Sequence, residues 1–125
     1  MEELGTSIET EAHGDVTVVS LVGEHDIASA EALRRQLGLV AESGEGLVVS
    51  LMRTEFCDSS VVNALFDADA QLRERDRRLV LHVATAPIVR RVLDVSGLAD
   101  TVACSGSLEE AIALAGPGAR TGLSG

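Results

Sequence analysis

Apolar positions along this chain alternate between two spacings. Short runs rich in β-branched residues read as strands: Val16-Thr-Val-Val-Ser-Leu-Val22, Leu47-Val-Val-Ser-Leu-Met52 and Leu79-Val-Leu-His-Val-Ala84. Between them, apolar residues recur every three or four positions, as on one face of a helix. The spacing predicts a helix over 27–42, with Leu33, Leu37 and Val40 on one face and Arg34 and Arg35 on another. A second helix follows Asp58 and runs to about Glu74, with Val61, Ala64, Leu65, Ala68 and Leu72 in phase. Pro87 suits the first turn of a third helix, which carries Ile88, Val89, Val92 and Leu93 and ends at Gly97. Ser107-Leu-Glu-Glu110 is a capping box that opens a last helix through Leu114.

Weaker patterns fill in the rest. Residues 6–12 read as a first strand, joined to the next by the turn residues His13-Gly14-Asp15. Thr101–Cys104 reads as a short strand or edge. The segment from Gly116 to Gly125 is too rich in glycine to order itself and is expected to be a flexible tail. The order is two strands, then strands alternating with helices. A strand–helix–strand unit in one sheet favours parallel pairing with right-handed crossovers, and the opening hairpin adds an antiparallel pair. The expectation is a single α/β domain with a mixed sheet over residues 1–115, followed by the tail at 116–125.

The most informative stretch is the junction Asp58-Ser59-Ser60. It stands where a strand hands over to a helix, and Asp and Ser are helix-capping residues. Unpaired backbone N–H groups and the helix dipole favour an anion there. A phosphoserine adds about −1.5 to −2 charges, so a serine here can change surface charge without unfolding the domain. Asp26 also follows a strand end and caps the first helix. Two adjacent parallel strands ending on the same side would bring Asp26 and Asp58 to one sheet edge, where sites gather in open α/β sheets.

Charge and composition narrow the function classes. At 125 residues there is room for one domain. The net charge of −10 and a single aromatic type, Phe56 and Phe66, argue against nucleic acid. Arg73, Arg75, Arg77 and Arg78 read as a solvated helix end that complements the dipole. No apolar run is long enough to cross a membrane, and Met1-Glu-Glu does not resemble a signal peptide, so a cytoplasmic location is expected. Cys57 and Cys104 stand far apart and read as small buried hydrophobes of a reducing compartment. No metal-ligand spacing and no phosphate-binding glycine loop occur. His82 lies in a strand pattern as a satisfied or surface-facing residue, and His25 reads as a turn residue. Without a G-x-S-x-G elbow, Ser59 is a poor candidate nucleophile.

Three blocks, in order and at compatible spacing, resemble the STAS family (sulphate transporter and anti-sigma factor antagonist) in its small single-domain bacterial branch. They are Gly23-Glu24-His25-Asp26, Phe56-Cys57-Asp58-Ser59-Ser60 and Leu93-Asp94-Val95-Ser96-Gly97-Leu98. The resemblance covers about residues 6–114. It implies helices packed mainly on one face of a mixed sheet. It also implies an anti-sigma factor antagonist whose partner is an anti-sigma factor with ATP-dependent serine kinase activity. Phosphorylation of the serine that follows the motif aspartate, here Ser59, turns binding off. Asp26, Asp58, Ser60, Val61 and Val62 then fall at the partner-facing surface. ATP belongs to the partner, so no cofactor is implied for this chain. One departure is visible: the family usually has Gly-Leu-Gly where this chain has Val61-Val62-Asn63, so side chains are expected to fill space that glycines leave open. That departure motivates an alternative, a non-switching scaffold subunit of a transporter ATPase or signalling assembly.

Overall fold

The computed structural model describes residues 6–83 and 87–116. Strand β1 (Ser7–His13) and strand β2 (Val16–His25) form the expected hairpin, antiparallel and in register from Ser7↔Val22 to His13↔Val16. Helix α1 (Ile27–Ser43) leads to β3 (Gly46–Ser50) and β4 (Thr54–Cys57), then to α2 (Ser59–Glu74) and β5 (Leu79–His82). Helix α3 (Pro87–Ser96), the single turn α4 (Leu98–Thr101), β6 (Ala103–Ser105) and α5 (Leu108–Ala115) complete the described chain. The sheet order is β1-β2-β3-β5-β6, with β4 also paired to β2. Every pair except β1–β2 is parallel.

Alternation along the strands sends side chains to two unequal cores. On one face Val19, Leu21, Leu47, Val49 and Leu81 meet Leu33 and Leu37 of α1, Leu65 and Leu72 of α2, and Leu93 of α3. The opposite residues, Val16, Val18, Val48 and Val80, meet the buried Ala111 and Ala115 of α5, with Leu108, Ile112 and Leu114 of α5 and Ala103 of β6 packed part-buried around them. Helices therefore lie mainly on one face, with α5 alone on the other. Its thin contact works because alanines let the helix approach closely.

Two expected elements are redrawn. The run Leu47–Met52 does not continue as one strand into Asp58. It stops at Ser50, turns through Met52 and Arg53, and restarts as β4. Both pieces pair with β2, β3 along residues 16–20 and β4 along residues 23–25. Gly23 makes the change of register possible. It sits at a bulge with φ of 87°, a backbone region that favours glycine, and its N–H donates to the Arg53 carbonyl at 2.9 Å. At the other end of the chain, Ser107 caps α5 by accepting from the Glu110 N–H at 3.2 Å. The reciprocal half of the capping box runs through Ser105, whose hydroxyl accepts from the Ser107 N–H and donates to the Glu110 carboxylate. The expected tail beyond Gly116 and the end of the Leu79–Ala84 run lie outside the described residues.

Candidate functional site

Strands β2 and β4 end side by side. His25 and Cys57 are register partners, and the Asp58 N–H donates to the His25 carbonyl at 3.3 Å. The next residues, Asp26 and Asp58, therefore share one sheet edge at a strand spacing of about 4.8 Å. Each caps the helix that follows it. The Asp26 carboxylate accepts from the Ala28 N–H at 2.9 Å. Asp58 Oδ1 accepts from the N–H groups of Ser60 and Val61, at 3.0 and 3.4 Å, and from the Ser60 hydroxyl.

This geometry separates the two serines. Ser60 is half-buried and its hydroxyl is committed to Asp58. Ser59 is exposed, in the first turn of α2, and its hydroxyl has no partner among the described residues. The hydrogen bond from Ser60 is the main reason the Asp58 carboxyl lies below its ordinary range; partial desolvation opposes the shift, and the Val61 and Ser60 N–H groups add to it. A depressed folded-state pKa contributes stability above the unfolded value, near 3.9, that is lost as pH falls through the folded value. Asp58→Ala is expected to cost about 1 kcal/mol as a lost N-cap, and Asp58→Asn, which keeps the acceptor, much less. Denaturation midpoints from pH 7 to 3 should show Asp58→Asn with a shallower acid limb than wild type. An unchanged limb would exclude Asp58 as a contributor.

Val61 keeps the apolar helical phase read from the sequence and Val62 joins it, so neither lies on the open surface where the resemblance set them. They are 0% and 3% exposed and belong to the core under α2. The valines do not crowd the surface beside the serines. Of the three residues replacing Gly-Leu-Gly, only Asn63 is exposed, one turn along from Ser59. Val62 contributes the floor of a groove of about 470 Å³ between the start of α2 and α3, shared with Phe56, Ser59, Arg91, Val92 and Val95. Val95 is 78% exposed. Sequence reasoning missed the α3 wall. The signal was present: α3 has more apolar residues than one buried stripe needs, with Val89 and Leu93 in the core, Val92 packed part-buried against it, and Ile88 and Val95 left exposed.

His25 is also corrected. It is the last residue of β2 rather than a turn residue, and only 1% exposed. Its ring is held by the Val22 carbonyl at 3.0 Å and the Ser29 hydroxyl at 3.1 Å. It continues the inward alternation of Leu21 and Gly23, so it braces the turn from inside. His82 is a satisfied strand residue, 2.9 Å from the Ser50 hydroxyl. Cys57 is buried, and burial followed by the neighbouring Asp58 pushes its thiol up to about 11. Cys104, expected inside, is exposed on β6. Among the described residues no group of acidic, His or Cys side chains could hold a metal, and no helix is long and apolar enough to cross a membrane.

Fold and site together define a small mixed-sheet domain that presents an exposed serine at one of two neighbouring acid-capped helix starts. Comparison with known proteins agrees. The family model described as "Mlab, STAS domain" matches residues 8–110, and the chain belongs to the STAS domain family. It is 29% identical over 97 residues to the anti-sigma F factor antagonist of Paenibacillus polymyxa, covering 76% of this chain and 82% of that protein. The crystal structure of an anti-sigma factor antagonist from Mycobacterium paratuberculosis is similar with a TM-score of 0.78 and 29% identity, over 87% of this chain and 92% of that one. The phosphorylated form of the Bacillus cell-fate determinant SpoIIAA is similar with a TM-score of 0.67 and 26% identity, over 85% and 96% of the two chains.

Proposed function

We propose that this protein is an anti-sigma factor antagonist. It binds a cognate anti-sigma factor that is also an ATP-dependent serine kinase, and phosphorylation of Ser59 ends that binding. Transcription is regulated indirectly, by release of the sigma factor. The chain is not itself an enzyme in this reading and needs no cofactor, because ATP belongs to the partner. The partner-facing surface is the edge that carries Asp26, Asp58, Ser59 and Ser60, with Val62 flooring the adjoining groove.

The observation that carries this reading is the inequality of the two serines: Ser59 is exposed with its hydroxyl unengaged, while Ser60 is tied to Asp58. A kinase needs a hydroxyl free to attack. A dianion at the first turn of α2 also meets the positive end of the helix dipole. The names of the relatives support the role at family level. The alternative, a non-switching scaffold subunit of a transporter ATPase or signalling assembly, is favoured by Asn63, which adds a polar side chain beside Ser59 where the family usually has glycine.

Wild type and Ser59→Ala used as baits in host lysate separate the two. Both are expected to capture the same kinase-type ATPase. Added ATP should release it from wild type, with one phosphate gained at Ser59, and leave it on Ser59→Ala. Capture of transporter components by both baits, indifferent to ATP, would establish the scaffold reading instead.

A further inference from the structure

We propose that Arg91 is the intramolecular receptor for a phosphate on Ser59, and that their pairing across the groove is what alters the binding surface. The inference rests on Ser59 being the modified residue.

The charge balance at the start of α2 leaves a phosphate only partly compensated. A phosphoserine at position 59 brings about −1.5 to −2 charges next to the full negative charge of Asp58. The helix terminus offers only about half a positive charge, and Asp58 already occupies the N–H groups of Ser60 and Val61. On a chain of net charge −10, the background field gives no help.

Arg91 stands in the required place. Arg91 of α3 and Ser59 of α2 line the same groove. The arginine is exposed and makes no ion pair among the described residues. Arg34, Arg53 and Arg73, by contrast, are committed to Asp67, Glu9 and Asp69. Asp58 and Arg91 are the charged side chains lining the groove, and the remaining wall is largely apolar: Phe56, Val62, Val92 and Val95. Asp58 is the one carboxylate that lines the groove with Arg91, and the apolar floor adds no further ionic acceptor. Guanidinium and phosphate match in bidentate geometry, which lysine does not reproduce.

The consequence is local. In the unmodified protein Arg91 is available at the rim of the groove. Once Ser59 is phosphorylated, the pair links α2 to α3, removes that cation from the surface offered to a partner and lies over Val62. No rearrangement of the fold is needed.

The test does not depend on the partner. Phosphoserine is installed at position 59 by genetic encoding in the full chain, and in Arg91→Ala and Arg91→Lys chains. The second ionisation of the phosphate is then followed by phosphorus NMR against pH. Pairing with Arg91 should hold the wild-type value below that of Arg91→Ala by roughly half a unit, with Arg91→Lys between them. Because Arg91 is an exposed residue, all three chains should retain the same circular dichroism spectrum. Equal titrations for wild type and Arg91→Ala would overturn the proposal even if a kinase modifies Ser59. Absence of kinase transfer to Ser59 would instead remove the functional reading and leave the measured pairing intact.

Discussion

Ser59→Asp is expected to keep its fold and lose its partner. Position 59 is exposed in the first turn of α2, where an added carboxylate gains from the helix dipole and loses to Asp58. These effects are of similar size, so the unfolding free energy from urea titration should change by less than about 0.5 kcal/mol. Binding is different. A like charge set into a complementary interface costs several kcal/mol, and even about 2 kcal/mol is roughly thirty-fold in Kd. Titration calorimetry against the purified anti-sigma factor should therefore show affinity reduced by about thirty-fold or more. The loss is smaller than for true phosphorylation, because aspartate carries one charge and phosphate nearly two. Ser60→Asp is the control. Its carboxylate would face Asp58 in place of the hydrogen bond the Ser60 hydroxyl makes, so it should lower stability by about 1–2 kcal/mol. If Ser59→Asp binds as wild type does, or Ser60→Asp reproduces its phenotype without loss of stability, Ser59 is not the switch.

Local chemistry explains why so much of the fold could be read in advance. Helix α2 was legible because Asp58 caps it and Val61, Leu65, Ala68 and Leu72 repeat on one buried face. Asp26 and Asp58 were placed at one edge by topology alone, because parallel strands with helical crossovers must end on the same side. The β3–β4 break was not legible. Leu51 is apolar and continues the run, and its N–H still extends the β3–β5 ladder to the His82 carbonyl at 2.8 Å; the chain turns only after it, where the Thr54 N–H donates to the Leu51 carbonyl at 3.2 Å. The restart depends on the Gly23 bulge in β2, far away in sequence, whose N–H donates to the Arg53 carbonyl. A run of hydrophobicity records burial, not continuity of backbone pairing.

The site divides in the same way. Capping chemistry is written in adjacent residues, so Asp58 and its serines could be found from spacing. The inward direction of Val62, beside Val61 on the apolar stripe of α2, needed the helix phase to be set against the sheet. His25 looked like a turn residue because it follows Gly23-Glu24. Its burial comes from strand alternation persisting through the bulge. Arg91 and Val95 share a groove with Ser59 only through the docking of α3, and no local signal connects positions 59 and 91.

Gly46→Ala is expected to have the largest effect on stability, and it acts far from Ser59. Gly46 opens β3, in register with Val16. A Cβ there would lie 2.1 Å from the Ala115 carbonyl oxygen and 2.9 Å from its carbon. Both are backbone atoms of the last turn of α5, so no rotamer change relieves the clash. The helix must move by about an ångström or more, since carbon–oxygen contacts settle beyond 3 Å. That shift opens the small core where Ala111 and Ala115 cover Val16, Val18, Val48 and Val80. Overpacking costs about 1–3 kcal/mol, and the disturbed contact adds to it. We expect the denaturation midpoint to fall by about 3 kcal/mol equivalent, with amide exchange in α5 accelerated before that of α2. Partner binding should survive wherever the variant is folded, because Gly46 stands at the opposite end of the strands from the Asp26–Ser59 edge. A loss below about 0.5 kcal/mol would mean that α5 is not held against β3. Loss of binding in a fully folded Gly46→Ala protein would mean that α5 and the serine edge are coupled, contrary to the separation of the two cores.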